Sequence, residues 1–322
     1  FPVPNPVAQL AKAAGVDIVG DIELLVRARP EARYIGITGT NGKSTTTALI
    51  GHILTVAGRD CAIGGNLGRP ALELDSLDAD GLYVLEMSSY QLELTPSVRF
   101  DIAVLLNISP DHLDRHGGMA GYIAAKQLIF EQQDPDGIAI VGVDDDDAKG
   151  LFDRLICGRS SGVMPVSAES VVPGGVYADG PILIDARDGA PRRVRSLEGI
   201  ETLSGAHNAQ NAAAAYAAAR AVGVASDVIA AALESYPGLP HRQQLVAVID
   251  GVRYVNDSKA TNPEAAAKAL SSYNDIYWIA GGRAKEGGLE VLHPYLPRVR
   301  RAFLIGEAAE RLAGQLFGHI DT

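Results

Sequence analysis

Residues 34 to 56 constrain the fold most. An apolar run, Tyr34-Ile35-Gly36-Ile37-Thr38, leads into Gly39-Thr40-Asn41-Gly42-Lys43-Ser44-Thr45, and Ser44 to Val56 then has helical character. A strand, a glycine-rich turn and a helix in that order are the context a phosphate-binding loop requires. The glycines let backbone N–H groups converge on phosphate oxygens, and the helix N-terminus adds partial positive charge. Lys43 can reach terminal phosphates, and the Ser44 hydroxyl can hold Mg²⁺. The usual pattern has a glycine five positions before Gly42, where Ile37 stands, so this is a variant loop whose first glycine is Gly39. The competing reading is a strand-to-helix turn without a ligand. Lys-Ser directly after the last glycine argues against it.

Short apolar runs recur at Leu82–Leu85, Ile102–Leu106 and Ile138–Val143, with helical stretches between several of them. Such alternation predicts a parallel sheet covered by helices on both faces. Ala209 to Val222 is helical on propensity alone. Pro237-Gly238-Leu239-Pro240 breaks any helix and marks a domain boundary. Beyond it the pattern restarts: Leu245–Ile249, Val252–Val255, a helix from Pro263 to Leu270, Ile276–Ala280, Ala302–Ile305, and a helix from Glu307 to Phe317. The expected class is α/β, with a P-loop central domain built on a mostly parallel sheet flanked by helices, then a smaller Rossmann-like α/β domain. The opening, Phe1-Pro2-Val3-Pro4-Asn5-Pro6, has no initiator Met and reads as the middle of a longer chain. A short helical stretch, Val7 to Ala14, follows it.

Composition narrows the function classes. A formal charge of −11 without a long basic run argues against a nucleic-acid binder. Anionic ligands must then be held locally, by helix N-termini, a few cations and metal ions. Cys61 and Cys157 form no CxxC pair, which suits a reducing compartment. No apolar run reaches membrane-spanning length, and no charged-then-apolar leader is present. The expectation is a cytoplasmic protein, a monomer, with neither nucleic acid nor membrane as partner.

Four further segments carry chemistry. Leu82 to Glu93 reads LYVLEMSSYQLE, a buried strand ending in Glu86, where phosphate-loop enzymes keep a carboxylate near Mg²⁺. Most use Asp, so Glu86 is a second departure, and a solvated strand end is its bland alternative. Asn107 to His116, NISPDHLDRH, again follows an apolar strand. His112 and His116 there are candidates for a ligand role or for plain packing. Lys126, in Gly121-Tyr122-Ile123-Ala124-Ala125-Lys126, reads by itself as an exposed helix lysine. Asn256-Asp257-Ser258-Lys259-Ala260-Thr261-Asn262 holds more hydrogen-bonding side chains than a turn needs, and reads as a site.

Taken in order, TGTNGKST, EMSSYQLE, NISPDHLDRH, YIAAK, GAHNAQN, GLPHR, NDSKATN and GGRAK resemble the Mur ligases over nearly the whole chain. The loop alone also suits folylpolyglutamate synthetases. SSYQLE and especially NDSKATN look like the member that adds D-glutamate. A sibling that adds a diamino acid has an Asp-Tyr-Ala-His type sequence where Asn256 to Lys259 stand here. The resemblance implies an ATP-dependent ligase joining D-glutamate to UDP-N-acetylmuramoyl-L-alanine in peptidoglycan precursor synthesis.

By position, it implies that Thr40, Asn41, Gly42, Lys43, Ser44, Thr45 and Thr46 cradle the ATP phosphates. Ser44 and Glu86 would hold one Mg²⁺, and His112 a second, with Lys126 carbamylated. A neutral lysine amine that adds CO₂ becomes a hard oxygen ligand. Asn66 would contact the muramoyl substrate. Asn208 and Asn211 would sit by the adenine, Arg242 and Asp257 would close on the nucleotide, and Lys259 would lie near the phosphates. Thr261 and Lys285 would hold the incoming glutamate. Lys43, Glu86, His112 and Lys126 are the implied catalytic set. Residues 1–21 would end an N-terminal uridine-nucleotide-binding domain and its linker, residues 22–238 would form the ATP-binding domain, and residues 239–322 an incomplete amino-acid-binding domain. The chain would then be truncated at both ends. Two other readings stand beside this one: a ligase of the same family with another amino-acid acceptor, and a P-loop nucleotide switch that makes no bond. A switch has no need of the polar Asn256–Asn262 segment.

Overall fold

A computed structural model describes residues 5–321 apart from 79, 132, 159–161 and 284–287. The described residues form two compact units, one ending at Pro237 and one starting at Gly238.

In the first unit, strands β1 (Arg33–Thr38), β2 (Cys61–Gly65), β3 (Leu82–Glu86), β4 (Phe100–Leu105), β5 (Gln133–Gly142), β6 (Val163–Ser167), β7 (Val176–Asp179), β8 (Ile182–Asp185) and β9 (Arg192–Ser196) make one sheet in the order β2-β3-β1-β4-β5-β6-β7-β8-β9. Neighbours from β2 to β7 run parallel, and β7-β8-β9 is an antiparallel edge. The helices are α1 (Pro6–Ala13), α2 (Asp21–Ala28), α3 (Lys43–Val56), α4 (Ser89–Glu93), α5 (Leu113–His116), α6 (Met119–Glu131), α7 (Asp146–Gly158), α8 (Ala206–Ala221) and α9 (Ser226–Ser235).

The central strands are apolar on both sides, as strands covered on both faces must be. Alternation sends Ile35, Ile37, Val84, Ile102 and Val104 into one core, with Leu49, Ile50 and Ile53 of α3, Tyr216 of α8, and Ile229 and Leu233 of α9. The intervening Tyr34, Tyr83, Leu85, Ala103 and Leu105 enter the opposite core, with Ile22 and Leu25 of α2, Leu92 of α4, Tyr122 and Ile129 of α6, and Leu151 of α7. Helix α8 is buried continuously from Asn208 to Ala219. Its run of alanines suits a helix enclosed on every side. By contrast α1 buries no residue.

The mostly parallel α/β sheet expected from the alternation is present, and it extends further than the sequence reading. Strands β2 and β6 to β9 were not anticipated: β7 and β8 have four residues each, and the edge strand β9 is Arg192-Arg193-Val194-Arg195-Ser196. Short edge strands carrying charge blunt a sheet edge, and the same traits erase the apolar pattern that reveals a strand. Helix α8 starts at Ala206, three residues before the alanine-rich stretch, so Asn208 and Asn211 lie on its first turns.

The second unit holds an antiparallel pair, β10 (Gln244–Ile249) and β11 (Val252–Asn256), and a parallel pair, β12 (Ile276–Gly281) and β13 (Val299–Ile305). Asp250 and Gly251 join the first pair with φ of 51° and 80°, the double left-handed turn that Asp-Gly favours between strands. Helix α10 (Pro263–Ser272) begins at Asn262, whose Oδ1 accepts from Ala265 N at 2.7 Å, and α11 (Ala309–Leu316) follows β13. Ala267, Leu270, Leu292, Leu296, Val299, Ala302 and Leu316 form a core of their own. Among the described residues no helix is long and apolar enough to cross a membrane.

Candidate active site

Strand β1 lies between β3 and β4, with Ile37 beside Glu86 and Thr38 beside Leu105. The chain runs from β3 past β1 to β4, so the strand order reverses here. The loops leaving the carboxyl ends of these three strands emerge together, where open α/β sheets bind ligands.

The loop after β4 holds the loop after β1. Thr40 N donates to Asn107 O at 2.9 Å. Asn41 N donates to Asn107 Oδ1 at 2.9 Å, and Asn107 Nδ2 returns a bond to Asn41 O at 3.1 Å. Thr40 Oγ1 accepts from Ser109 N at 2.9 Å and lies 3.2 Å from the Tyr122 hydroxyl. Burial pushes the Tyr122 phenol up to about 12, so it stays protonated. Gly42 caps α3 at φ 88°. Lys43 Nζ donates to Gly39 O at 2.9 Å and Thr40 O at 2.8 Å, closing the loop upon itself. Ser44 is buried and Thr45 half-buried on the first turn of α3. Thr46 is fully buried, and its Oγ1 donates to Asn211 Oδ1 at 3.3 Å. Asn211 Nδ2 donates to Asn208 Oδ1 at 3.0 Å, and Asn208 Nδ2 to Ser204 O at 2.9 Å. Asn208 and Asn211 are both buried, and Asn211 packs on Gly42.

Glu86 is 2% exposed. Its Oε1 accepts from Asn66 Nδ2 at 2.9 Å, while its Oε2 is buried without a hydrogen-bond partner. A half-satisfied buried carboxylate is costly unless a cation completes it. A hard, unpartnered carboxylate oxygen at the end of β3 fits Mg²⁺ chemistry.

The local reading of Lys126 as an exposed lysine is wrong: the residue is 1% exposed. Helix α6 turns it inward, where Nζ donates to Gly39 O at 2.8 Å and sits 4.7 Å from the Tyr122 ring centre. Burial first, then the Lys43 charge, pushes its amine well below the ordinary lysine range, against the opposing pull of Asp111 and Glu86. A single-helix pattern cannot report this, since the burying surface comes from the loop after β1. A neutral amine is the form that adds CO₂.

His112 heads α5 in a left-handed conformation, φ 52°, with Nε2 3.6 Å from Asp111 Oδ2 and its ring 5.3 Å from that of Tyr90. His116 is the packed one of the two. Its side chain is 1% exposed, its Nε2 lies 3.0 Å from Ser89 Oγ, and burial lowers its pKa. Among the described residues no three His, Cys, Asp or Glu side chains gather as a metal site.

In the second unit the segment after β11 is ordered by its own polar groups. Asp257 Oδ1 accepts from Gln243 N at 2.9 Å, Lys259 N donates to His241 O at 3.1 Å, and Asn256 Nδ2 lies 2.9 Å from His241 Nδ1. His241 and Gln243 take φ of 64° and 42°, strained values that such anchoring sustains. Arg242 N donates to Leu239 O at 3.3 Å. Burial raises the Asp257 pKa. Lys259 and Thr261 are exposed, and Lys285 lies outside the described residues.

Asn107 and Tyr122 escaped the sequence reading as site residues. An Asn directly after an apolar strand was the available signal for the first. For Tyr122, only tertiary packing brings its hydroxyl to Thr40.

The buried amine has a measurable signature. The unfolded chain binds a proton at Lys126 up to its ordinary value near 10.5, whereas the native state releases it at lower pH. Stability therefore rises with pH across the window between those values, and the penalty is full below it. In CO₂-free buffer, denaturant unfolding at about pH 7 and about pH 9.5 should show the native chain gaining stability relative to Lys126→Met. At the lower pH the variant should be the more stable of the two. Parallel pH profiles would mean that the amine is solvated.

The family model described as Mur ligase middle domain matches residues 37–219. A protein of Rhodospirillum rubrum named UDP-N-acetylmuramoylalanine–D-glutamate ligase is 55% identical over 320 residues, covering 99% of this chain and 67% of its own length. A protein of the same name from Rhizobium johnstonii is 53% identical over 321 residues, covering 98% and 67%. Among solved structures, the MurF ligase of Thermotoga maritima in complex with ADP aligns with a TM-score of 0.66 at 22% identity, covering 96% of this chain and 73% of that one. On the family match and these identities, the chain belongs to the Mur ligase family.

Proposed function

We propose that the chain is the catalytic part of an ATP-dependent acid–amino-acid ligase that joins D-glutamate to UDP-N-acetylmuramoyl-L-alanine in peptidoglycan precursor synthesis. One observation carries the reading: the half-satisfied Glu86 carboxylate and the buried Lys126 amine flank a phosphate-type loop at one point of the sheet. Relatives named for this reaction support the choice of substrates.

On this reading Thr40 to Thr46 receive the triphosphate, and Lys43 exchanges its two loop carbonyls for phosphate oxygens. Ser44, Glu86, His112 and carbamylated Lys126 would hold Mg²⁺, which neutralises charge on the transferring phosphoryl group. The alanyl carboxylate attacks the γ-phosphorus and displaces ADP, giving an acyl phosphate. The D-glutamate amine attacks the carbonyl, phosphate leaves, and the amine loses a proton. Asn66 is assigned to the muramoyl substrate. Asn208, Asn211, Arg242, Asp257 and Lys259 are assigned to the nucleotide, and Thr261 and Lys285 to the amino acid. The domain limits at residues 21 and 238, a cytoplasmic location and a monomeric state belong to the same proposal.

Phosphate release from ATP and Mg²⁺, with UDP-N-acetylmuramoyl-L-alanine present and amino acids supplied singly, tests it. Release that requires D-glutamate, and is not supported by L-glutamate or L-lysine, is the expected result. Release indifferent to every amino acid would leave a nucleotide switch as the account.

A further inference from the structure

We propose that Gln210 and Asp144 are positioning residues for the phosphate loop, acting through a one-way relay of side-chain amides that ends on Asn41. The proposal rests on the nucleotide reading of that loop and adds a device to it.

Asp144 stands in the turn after β5. Its Oδ1 accepts from Ser167 Oγ at the end of β6. Its Oδ2 accepts from Ala168 N at 2.9 Å and from Gln210 Nε2 at 2.8 Å. Gln210 is 6% exposed, on the first turns of α8, and its Oε1 accepts from Asn107 Nδ2 at 3.0 Å. Asn107 in turn holds both backbone groups of Asn41. Gly142 makes room for the relay: a Cβ there would lie 1.8 Å from Leu106 O and 3.0 Å from Gln210 Nε2.

The direction of the relay follows from its far end. An amide side chain can present either its oxygen or its nitrogen, and its neighbours decide which. An ionised carboxylate only accepts. Asp144 therefore draws the Gln210 NH₂ toward itself and leaves Oε1 facing Asn107. That oxygen selects the Asn107 NH₂, and Asn107 Oδ1 is left for the Asn41 N–H. One half-buried carboxylate thus sets the orientations of two successive amides, Gln210 and Asn107, ending in the middle of the loop. A loop ordered before its ligand arrives spends less binding free energy on being ordered. Neither Gln210 nor Asp144 touches the nucleotide in this scheme.

The test is the affinity of the chain for a non-hydrolysable ATP analogue with Mg²⁺, measured by calorimetry beside thermal unfolding. Gln210→Met keeps the length of the side chain and removes both polar ends, and should weaken binding about tenfold while the chain still unfolds cooperatively. Gln210→Glu sets carboxylate against carboxylate and should weaken it by about thirtyfold. Asp144→Asn combined with Gln210→Glu reverses the donor and acceptor at that one link. The amide introduced at position 144 donates, the carboxylate introduced at position 210 still accepts from Asn107, and affinity should return to within about threefold of the native value. The Ala168 N–H loses its acceptor in the double variant, which keeps recovery incomplete. A general packing role predicts no such rescue. Unchanged binding by Gln210→Met, or a double variant no better than Gln210→Glu alone, overturns the relay. Failure of the native chain itself to bind the analogue overturns the nucleotide reading, and the relay with it.

Discussion

Gly42→Ala should reduce nucleotide affinity by about a hundredfold or more. Two costs combine. The residue sits at φ 88°, a left-handed conformation that costs an L side chain roughly 1–2 kcal/mol. A Cβ there would lie 2.2 Å from Asn211 Oδ1, so Asn211 must withdraw and give up its bonds to Thr46 and Asn208. Breaking them adds about 1–3 kcal/mol, and each 1.4 kcal/mol is about tenfold in binding. The comparison variant is Gly58→Ala, at φ 67° with nothing within 4 Å of the new Cβ. It carries the backbone cost alone, at the end of α3 remote from the loop, and should lose some stability while binding nucleotide as before. Binding of the analogue and thermal midpoints for both variants decide the matter. Equal affinities would place the nucleotide elsewhere.

Glu86→Gln should lower the rate of ATP-dependent phosphate release by about 10²–10³ while leaving the thermal midpoint unchanged or raising it. The amide oxygen can still accept from Asn66 Nδ2, so the one hydrogen bond Glu86 makes is preserved. What disappears is a buried anionic oxygen that no donor satisfies. Removing an uncompensated buried charge relieves the fold, and removing the same charge from a phosphoryl-transfer site weakens the hold on the cation. Opposite signs for stability and rate are the mark of a group retained for chemistry. Activity within threefold of native, or a large fall in stability, would make Glu86 a packing residue.

Local chemistry made much of this legible in the sequence. The loop from Gly39 to Ser44 announces itself because conformational freedom, a helix start and a phosphate-seeking cation must be contiguous to work. Strands β1, β3 and β4 show as unbroken apolar runs, because a strand covered on both faces has no polar side to display. The turn at Asp250-Gly251 was equally open to reading. Short or charged strands, β2 and β6 to β9, were not, since their stability comes from neighbours rather than from their own pattern.

Residue order alone carries the α/β class, the strand, glycine turn and helix from Tyr34 to Val56 and, through its ordered motifs, the family. Tertiary structure alone decided which side chains are buried around that loop, because burial is supplied by elements distant in the chain. Lys126 is the clearest case. Eighty-seven residues separate it from Gly39, and only their meeting turns an ordinary helix lysine into a buried amine whose pKa is pushed well below the lysine range. Asn107 and Gln210 are separated by 103 residues, and Gln210 and Asp144 by 66, yet they form one relay. Hydrogen-bond partners fixed by sheet order leave no period or spacing in the sequence from which to read them.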